Sequence, residues 1–291
     1  MKRTSVLGCI VLAALIDAGA GFGQSPLFVT TTNFETGSTA FLAAGAEEAE
    51  VNLLSIHGDA AARYQRGKVY VINRLGQDNI LVLDPGNLRQ PELQFSVGNG
   101  SNPYDIEVVS ESKAYVSRLA RTELLIVDPR SGSELGTIDL APFGDSDGFP
   151  EMAEMEVVGS RLYVACQLLD TATFTPAPHG LIVVVDIETD RIVDMDPNSD
   201  GVQGWTLAAG NPLSLVALEN QLFVSETASF LDTEGGIEVI DLASGTSRGL
   251  VVTEIDLGGD VGALDLVTPT RGYVVVSDAS FANHVVPFDL T

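Results

Sequence analysis

Cysteine is nearly missing from this chain: Cys9 and Cys166 are the two examples in 291 residues, which excludes a disulfide framework. Neither belongs to a Cys-x-x-Cys-His run, so covalent haem attachment is excluded as well. Histidine is also scarce. His57, His179 and His284 lie far apart and in no metal-ligand spacing, which excludes a histidine-rich copper cluster. Trp205 stands alone, so a quinone built from two tryptophans cannot form.

Positive charge is in short supply too, with 15 basic residues against 40 acidic ones and a formal net charge of −25. Nucleic acids and anionic membranes bind through Lys and Arg that displace counterions, so both are excluded as partners. Long hydrophobic runs are absent except near the start. There Met1-Lys2-Arg3, an apolar stretch over residues 4–16 and the small residues Ala18-Gly19-Ala20 have the three parts of a secretory leader. The stretch is too short to span a bilayer. Residues 1–23 are therefore expected to be a signal peptide cleaved after Ala20 or Gly23, with residues 24–291 forming one exported, secreted or periplasmic domain without membrane insertion. Cys166 is then the one thiol of the mature chain, and its place in the apolar pattern Leu-Tyr-Val-Ala-Cys reads as a buried structural residue.

The chain is rich in short β-branched and aromatic runs separated by turn residues. Val69-Tyr70-Val71-Ile72-Asn73 and Asn79 to Asp84 read as two strands joined by Gly76-Gln77-Asp78. The same pair of strands returns at 114–128, 162–186, 222–241 and 272–289, and an irregular first copy starts near Leu27. Around each pair lie a preceding strand, such as 104–109, 154–158, 213–218 or 264–267, and a following one, such as 93–97, 134–140, 191–194 or 251–256. Four short strands in about 40 residues define a propeller blade. No segment shows the 3.6-residue period of an amphipathic helix. The expected fold is an all-β propeller of six four-stranded blade-like units, complete or part of a seven-bladed ring. The sixth unit lacks a fourth strand, and residues 26–33 are expected to supply it beside 284–289.

The segment VYVINRLGQDNILVLDP, with FSVGNGSNPYDIEVV and KAYVSR after it, resembles the YVTN-type β-propeller repeat. Tyr70-Val71-Ile72-Asn73 departs from the repeat at its third position, and Ala114-Tyr115-Val116-Ser117 at its last two. The resemblance implies a propeller in an exported bacterial protein, in a family that spans surface and binding proteins, lactonases and cofactor-bearing oxidoreductases. It implies no single activity.

Three groups of residues are candidates for chemistry. Asp105 and Glu107 share one face of their strand by the period of two, as do Glu154 and Glu156, and Asp265 aligns with Glu107. Inner strands border the channel of a propeller, so these carboxylates either hold a hard cation such as Ca2+ or are solvated beside the channel. Asp196-Pro-Asn198-Ser-Asp200-Gly201 matches the first half of a calcium loop, yet Leu207 stands where the final Glu is required. Asp145-Ser-Asp147-Gly148 is a shorter relative of it. Phe143, Phe149, Phe174 and Phe230 lie in the long inter-strand segments, where they either form a recognition surface or cap blade edges.

The function expected is a non-enzymatic binding or scaffold protein, monomeric, presenting loops 144–151, 168–180 and 230–235 to a protein or glycan. The alternative is a lactonase-type hydrolase with a site at the channel mouth, using a metal or an acid–base pair such as Glu154 with His179.

Overall fold

A computed structural model of the chain describes residues 9–15, 25–33 and 35–290. Its strands form six small antiparallel sheets. The first contains β1 (Cys9–Leu15), β2 (Leu27–Thr32), β3 (Gly37–Leu42) and β4 (Ser55–Ile56); the second, β5 (Ala60–Gln65), β6 (Lys68–Asn73), β7 (Asn79–Leu83) and β8 (Leu93–Ser96). The third holds β9 (Pro103–Ser110), β10 (Lys113–Arg118), β11 (Glu123–Asp128) and β12 (Ser133–Asp139). In the fourth, β13 (Met152–Val158), β14 (Arg161–Cys166) and β15 (Leu181–Asp186) are followed by two short outer strands on β15, β16 (Arg191–Val193) and β17 (Trp205–Thr206). The fifth is β18 (Pro212–Leu218), β19 (Gln221–Glu226), β20 (Gly236–Asp241) and β21 (Thr246–Thr253). The sixth has three strands, β22 (Asp260–Thr268), β23 (Arg271–Ser277) and β24 (Asn283–Asp289). Among the described residues, those up to 116 with 125–136 make one compact unit, and 117–124 with 137–290 a second.

The central hairpins follow one design. β6 and β7 are buried along nearly their whole length, because each face of the sheet packs on a neighbour. This is why the sequence shows unbroken apolar runs there rather than alternation. Tyr70, Ile72, Ile80 and Val82 pack with Phe95, Ile106, Val116 and Leu125 in the first unit. Phe223, Val239, Leu264, Val276 and Phe288 form a comparable cluster in the second. Burying each such side chain stabilises the fold by roughly 1.5–3 kcal/mol.

A cross-strand ion pair closes the far end of these hairpins. Lys68 Nζ lies 2.8 Å from Asp84, Arg161 3.0 Å from Asp186 and Arg271 3.2 Å from Asp289. The same aspartates then organise the next turn: Asp84 accepts the N–H of Gly86, Asp128 that of Arg130, Asp186 that of Glu188 and Asp241 that of Ser244. These bonds to the charged form hold all four carboxyls below the usual aspartate range. The leading cause is the Lys68 side chain for Asp84, Arg130 for Asp128, Thr189 for Asp186 and the Ser244 N–H for Asp241. Two of the turns end in a glycine with φ of +71° (Gly132) or +68° (Gly245), and an aromatic ring of the preceding sheet, Phe95 or Trp205, lies across each. Trp205 also stacks on Tyr163, with ring centroids 5.9 Å apart.

First strands of adjacent sheets are joined by side chains rather than by a backbone ladder. Gln65 Oε1 accepts the N–H of Val108, Glu154 Oε2 that of Leu215, and Ser214 Oγ that of Leu264. The polar inner strand thus satisfies donors that a neighbouring sheet cannot reach with its backbone.

Two expectations are corrected. Residues 26–33 do not complete the sixth sheet: β2 already bonds β1 on one edge and β3 on the other, so it has no free edge to give. The fourth sheet carries five strands, because residues 194–204 interrupt its outer edge and split it into β16 and β17. The apolar run assigned to the leader supplies β1, paired in register with β2 from Cys9 opposite Thr32 onward.

Candidate interaction surface

In the second unit, the loops between the second and third strand of each sheet converge with the segments that enter the following first strands. The β14–β15 loop is fastened by Leu169 N–H to Glu151, at 3.0 Å, and by Thr171 N–H to Asp147, at 2.8 Å. Its return is held by Gly180 N–H on the Ala209 carbonyl and by His179 Nδ1, 3.0 Å from the Leu207 oxygen. The β19–β20 loop is tied down through Ala228 N–H to Gly210 O, and through Leu231 N–H, which is bonded to the Asp260 carboxylate. Asp278 gathers the β23–β24 loop by accepting the N–H groups of Ser280 and Ala282 and a bond from His284.

Two of these anchors, Glu151 and Asp260, are buried acids, and Glu226 and Glu254 join them in the same role. Glu151, Glu226, Glu254 and Asp260 are all nearly or fully buried, and each accepts backbone N–H groups of the loops or of the connections beneath them. Glu254 takes Gly235 N–H on one oxygen and Val261 N–H on the other. Burial, the leading cause in each case, pushes Glu151 up to about 8, Glu254 up to about 7 and Glu226 up to about 10, and raises Asp260. The neighbouring Glu238 adds to the shift at Glu226 and itself accepts the N–H of Ala208.

Held on this frame, the loop tips expose apolar side chains. Phe174 is 67% exposed, Phe230 62%, Phe281 60% and Leu231 54%, whereas Phe143 is buried and Phe149 half-buried. Phe174, Leu231 and Phe281 have positive φ of 56°, 66° and 58°. For non-glycine residues this conformation costs on the order of 1 kcal/mol each, and the bonds of the frame sustain it. Two aromatics expected at a rim, Phe174 and Phe230, are thus there and two are not. Leu231 and Phe281 escaped the sequence reading, although both share the positive φ of Phe174 in the corresponding loop of their own sheet. Sequence reading also missed the four buried acids. Their signal was an acid directly at a strand end, as in Val-Ser-Glu226 and Ala-Glu-Met after Glu151-Met.

The candidate cation ligands lie apart from this rim and in separate places. Asp105, expected at an open inner face, is instead fully buried, and Arg63 Nε contacts it at 2.7 Å from β5; the guanidinium supplies its countercharge. Glu107 accepts from Gln65 Nε2 at 2.7 Å, and Glu154 is engaged by Leu215. Glu156 is half-buried opposite Tyr163, and Asp265 is exposed, its carboxylate taken by the N–H of Leu266. In the 196–201 loop, Asp196 accepts from Asn198 and from Ser199 Oγ at 2.6 Å, while the Asp200 carbonyl accepts from Gln203. Among the described residues, no three His, Cys, Asp or Glu side chains converge to hold a metal ion. Glu154 and His179 each have backbone partners, and no hydrogen bond joins them. A side cleft of about 410 Å³ lies elsewhere in the second unit, walled by Tyr163, Trp205 and Arg161.

With six such sheets, the chain is an all-β propeller of six blades with almost no helix. The WD40 beta propeller domain of Doa1 is similar in structure, with a TM-score of 0.59 at 12% identity over 89% of this chain and 74% of that one. So is hydrazine synthase of Kuenenia stuttgartiensis, with a TM-score of 0.58 at 16% identity over 87% of this chain and 71% of that one. At such identities the likeness is one of fold. No protein-family model matches the chain, and no curated protein sequence matches it.

Proposed function

We propose that this protein is an exported propeller, related in its repeat to the YVTN type, which acts without catalysis as a monomeric binding or scaffold protein through its inter-strand loops. Loops 144–151, 168–180 and 230–235 carry the surface, and the β23–β24 loop joins them. The observation that carries this reading is the set of exposed Phe174, Phe230 and Phe281 on three successive loops, each tied down by an acid that accepts loop N–H groups: Glu151, Asp260 and Asp278. Exposed aromatics on rigid supports are what recognition sites use, since little conformational freedom is lost on binding. A WD40 propeller domain among the structural neighbours agrees with a protein partner, while the neighbouring hydrazine synthase shares only the fold.

The test is partner capture by cross-linking with two baits, the wild-type protein and a Phe174→Ser/Phe230→Ser/Phe281→Ser triple variant. A partner retained by the first and lost by the second supports the reading. A partner retained equally by both, or turnover of lactone substrates by the wild-type protein, overturns it.

A further inference from the structure

The second unit separates its charges along the strands. From Thr137 to Thr291 its cations are Arg161, Arg191, Arg248 and Arg271. Arg161 and Arg271 begin the second strands β14 and β23, Arg191 begins the outer strand β16, and Arg248 lies in the first half of β21. All four therefore stand at strand ends remote from the loops that carry the phenylalanines. Arg118 and Arg121, the remaining cations of this unit, lie at the β10–β11 turn, the same end of their own sheet as the phenylalanine loops; Arg118 is buried, donating to the Glu123 carbonyl, and Arg121 is half-buried, donating to the Ala120 carbonyl. Around the exposed aromatics stand Asp145, Asp147, Asp170, Asp232, Glu234 and Asp278, each half-buried or exposed. Their potentials add, because no arginine or lysine from 137–291 stands among them.

We infer that this rim takes a basic segment of another protein, in which Lys or Arg residues flank aliphatic or aromatic anchors. The inference rests on the reading of the loop end as a binding surface and adds the chemistry of its occupant. The anchors would cover Phe174, Phe230, Leu231 and Phe281, whose exposure is unfavourable in water. The cations would face the carboxylates, which steer encounter and reject wrong partners. A second copy of the chain brings the same acidic rim and is repelled, as is an anionic lipid surface.

The experiment uses the full chain as bait for random peptides displayed on phage, followed by affinities of the selected peptides for purified variants. The inference expects winners with net positive charge and apolar residues, binding the wild-type protein at least about tenfold (about 1.4 kcal/mol) more tightly than the triple serine variant. Their affinity should fall as salt rises, and Glu234→Gln at the rim should weaken it while Glu188→Gln at a remote turn does not. Neutral or acidic winners that still need the phenylalanines overturn the basic occupant and leave the binding surface standing. Winners that bind the triple variant as well as the wild type, or respond equally to Glu188→Gln and Glu234→Gln, overturn the inference. Equal binding to the triple variant also removes the surface itself. Unchanged melting of the triple variant shows that the fold is retained, as expected for three exposed side chains.

Discussion

Glu226 and Glu238 bring two carboxyl groups, both sealed from solvent, onto one side of the β19–β20 hairpin. Glu226 lies opposite Gly236, so Glu238 is its diagonal neighbour on the same face of the β19–β20 ladder. Burial first, and then the neighbouring Glu238, push the Glu226 carboxyl up to about 10, so it keeps its proton at neutral pH. The two carboxyls hold the N–H groups of Ala208 and Ala209, on which His179 and the return of the Phe174 loop depend. Glu226→Gln keeps a neutral group of the same shape and is expected to leave stability at neutral pH within about 1 kcal/mol. Glu226→Ala strands a buried N–H and opens a void, at a cost of roughly 2–4 kcal/mol. Urea denaturation of the two variants measures the difference, and equal losses would refute the retained proton on Glu226.

The pH dependence of the whole protein follows from the same group of acids. Glu151, Glu254 and Glu226 have folded values of about 8, 7 and 10 against an ordinary 4.5. A raised carboxyl binds its proton more tightly in the folded state. Its contribution is complete below pH 4.5 and is lost as pH rises through the folded value. Asp84, Asp128, Asp186 and Asp241 act in the opposite sense, adding stability above their ordinary 3.8 and losing it as pH falls further. These four are half-buried within reach of water, and their effect is small. The melting temperature is therefore expected to peak near about pH 5 and to decline toward pH 8. Calorimetry across this range checks it, and Glu151→Gln should flatten the decline.

Arg63 and Asp105 form an unequal pair, because the arginine side chain is 30% exposed and the aspartate not at all. Removing the arginine leaves a buried carboxylate without countercharge and is expected to cost about 3–5 kcal/mol. Removing the aspartate leaves a guanidinium that water can reach, so Asp105→Ala should cost clearly less than Arg63→Ala. Chemical denaturation of both variants decides it; the reverse order would show that the aspartate is solvated.

Gly132 and Gly245 allow a further comparison at matched backbone. Both have positive φ, so alanine costs each about 1–2 kcal/mol. At Gly132 the new Cβ would lie 2.2 Å from Phe95 Cβ, whereas at Gly245 it would rest 3.5 Å from Trp205, an ordinary contact. Overpacking should add about 1–3 kcal/mol at Gly132 alone. Melting curves for the two alanine variants are expected to separate accordingly.

Much of the architecture could be read from the repeating hairpins, because strand, turn and Asp recur together and each repeat is one blade. The strand read from Val69 to Asn73 falls within one residue of β6, and the end of β11 at Asp128 is visible where the apolar run meets turn residues. The sixth sheet's missing strand was also visible, but its proposed donor was not free, since pairing of 27–32 with 9–15 depends on contacts that no local pattern records. The inner carboxylates were legible as a row and illegible in purpose. Glu154 bonds to Leu215, and Asp105 faces an arginine that lies 42 residues earlier, distances at which a single sequence carries no pairing signal. At the rim, Phe174 and Phe230 could be named because they sit in long loops. Phe281 could not, because its loop is short and only its equivalence to the others marks it.

Cys166 sits in β14, paired on both sides, opposite Met152 on β13 and Leu181 on β15. It is fully buried, and burial together with nearby Glu151 raises its thiol well above the ordinary range. It can react only while the strands around it are apart. The rate of alkylation at Cys166 thus becomes a clock for the opening of the fourth blade, readable by mass spectrometry of the peptide that carries it with no label added.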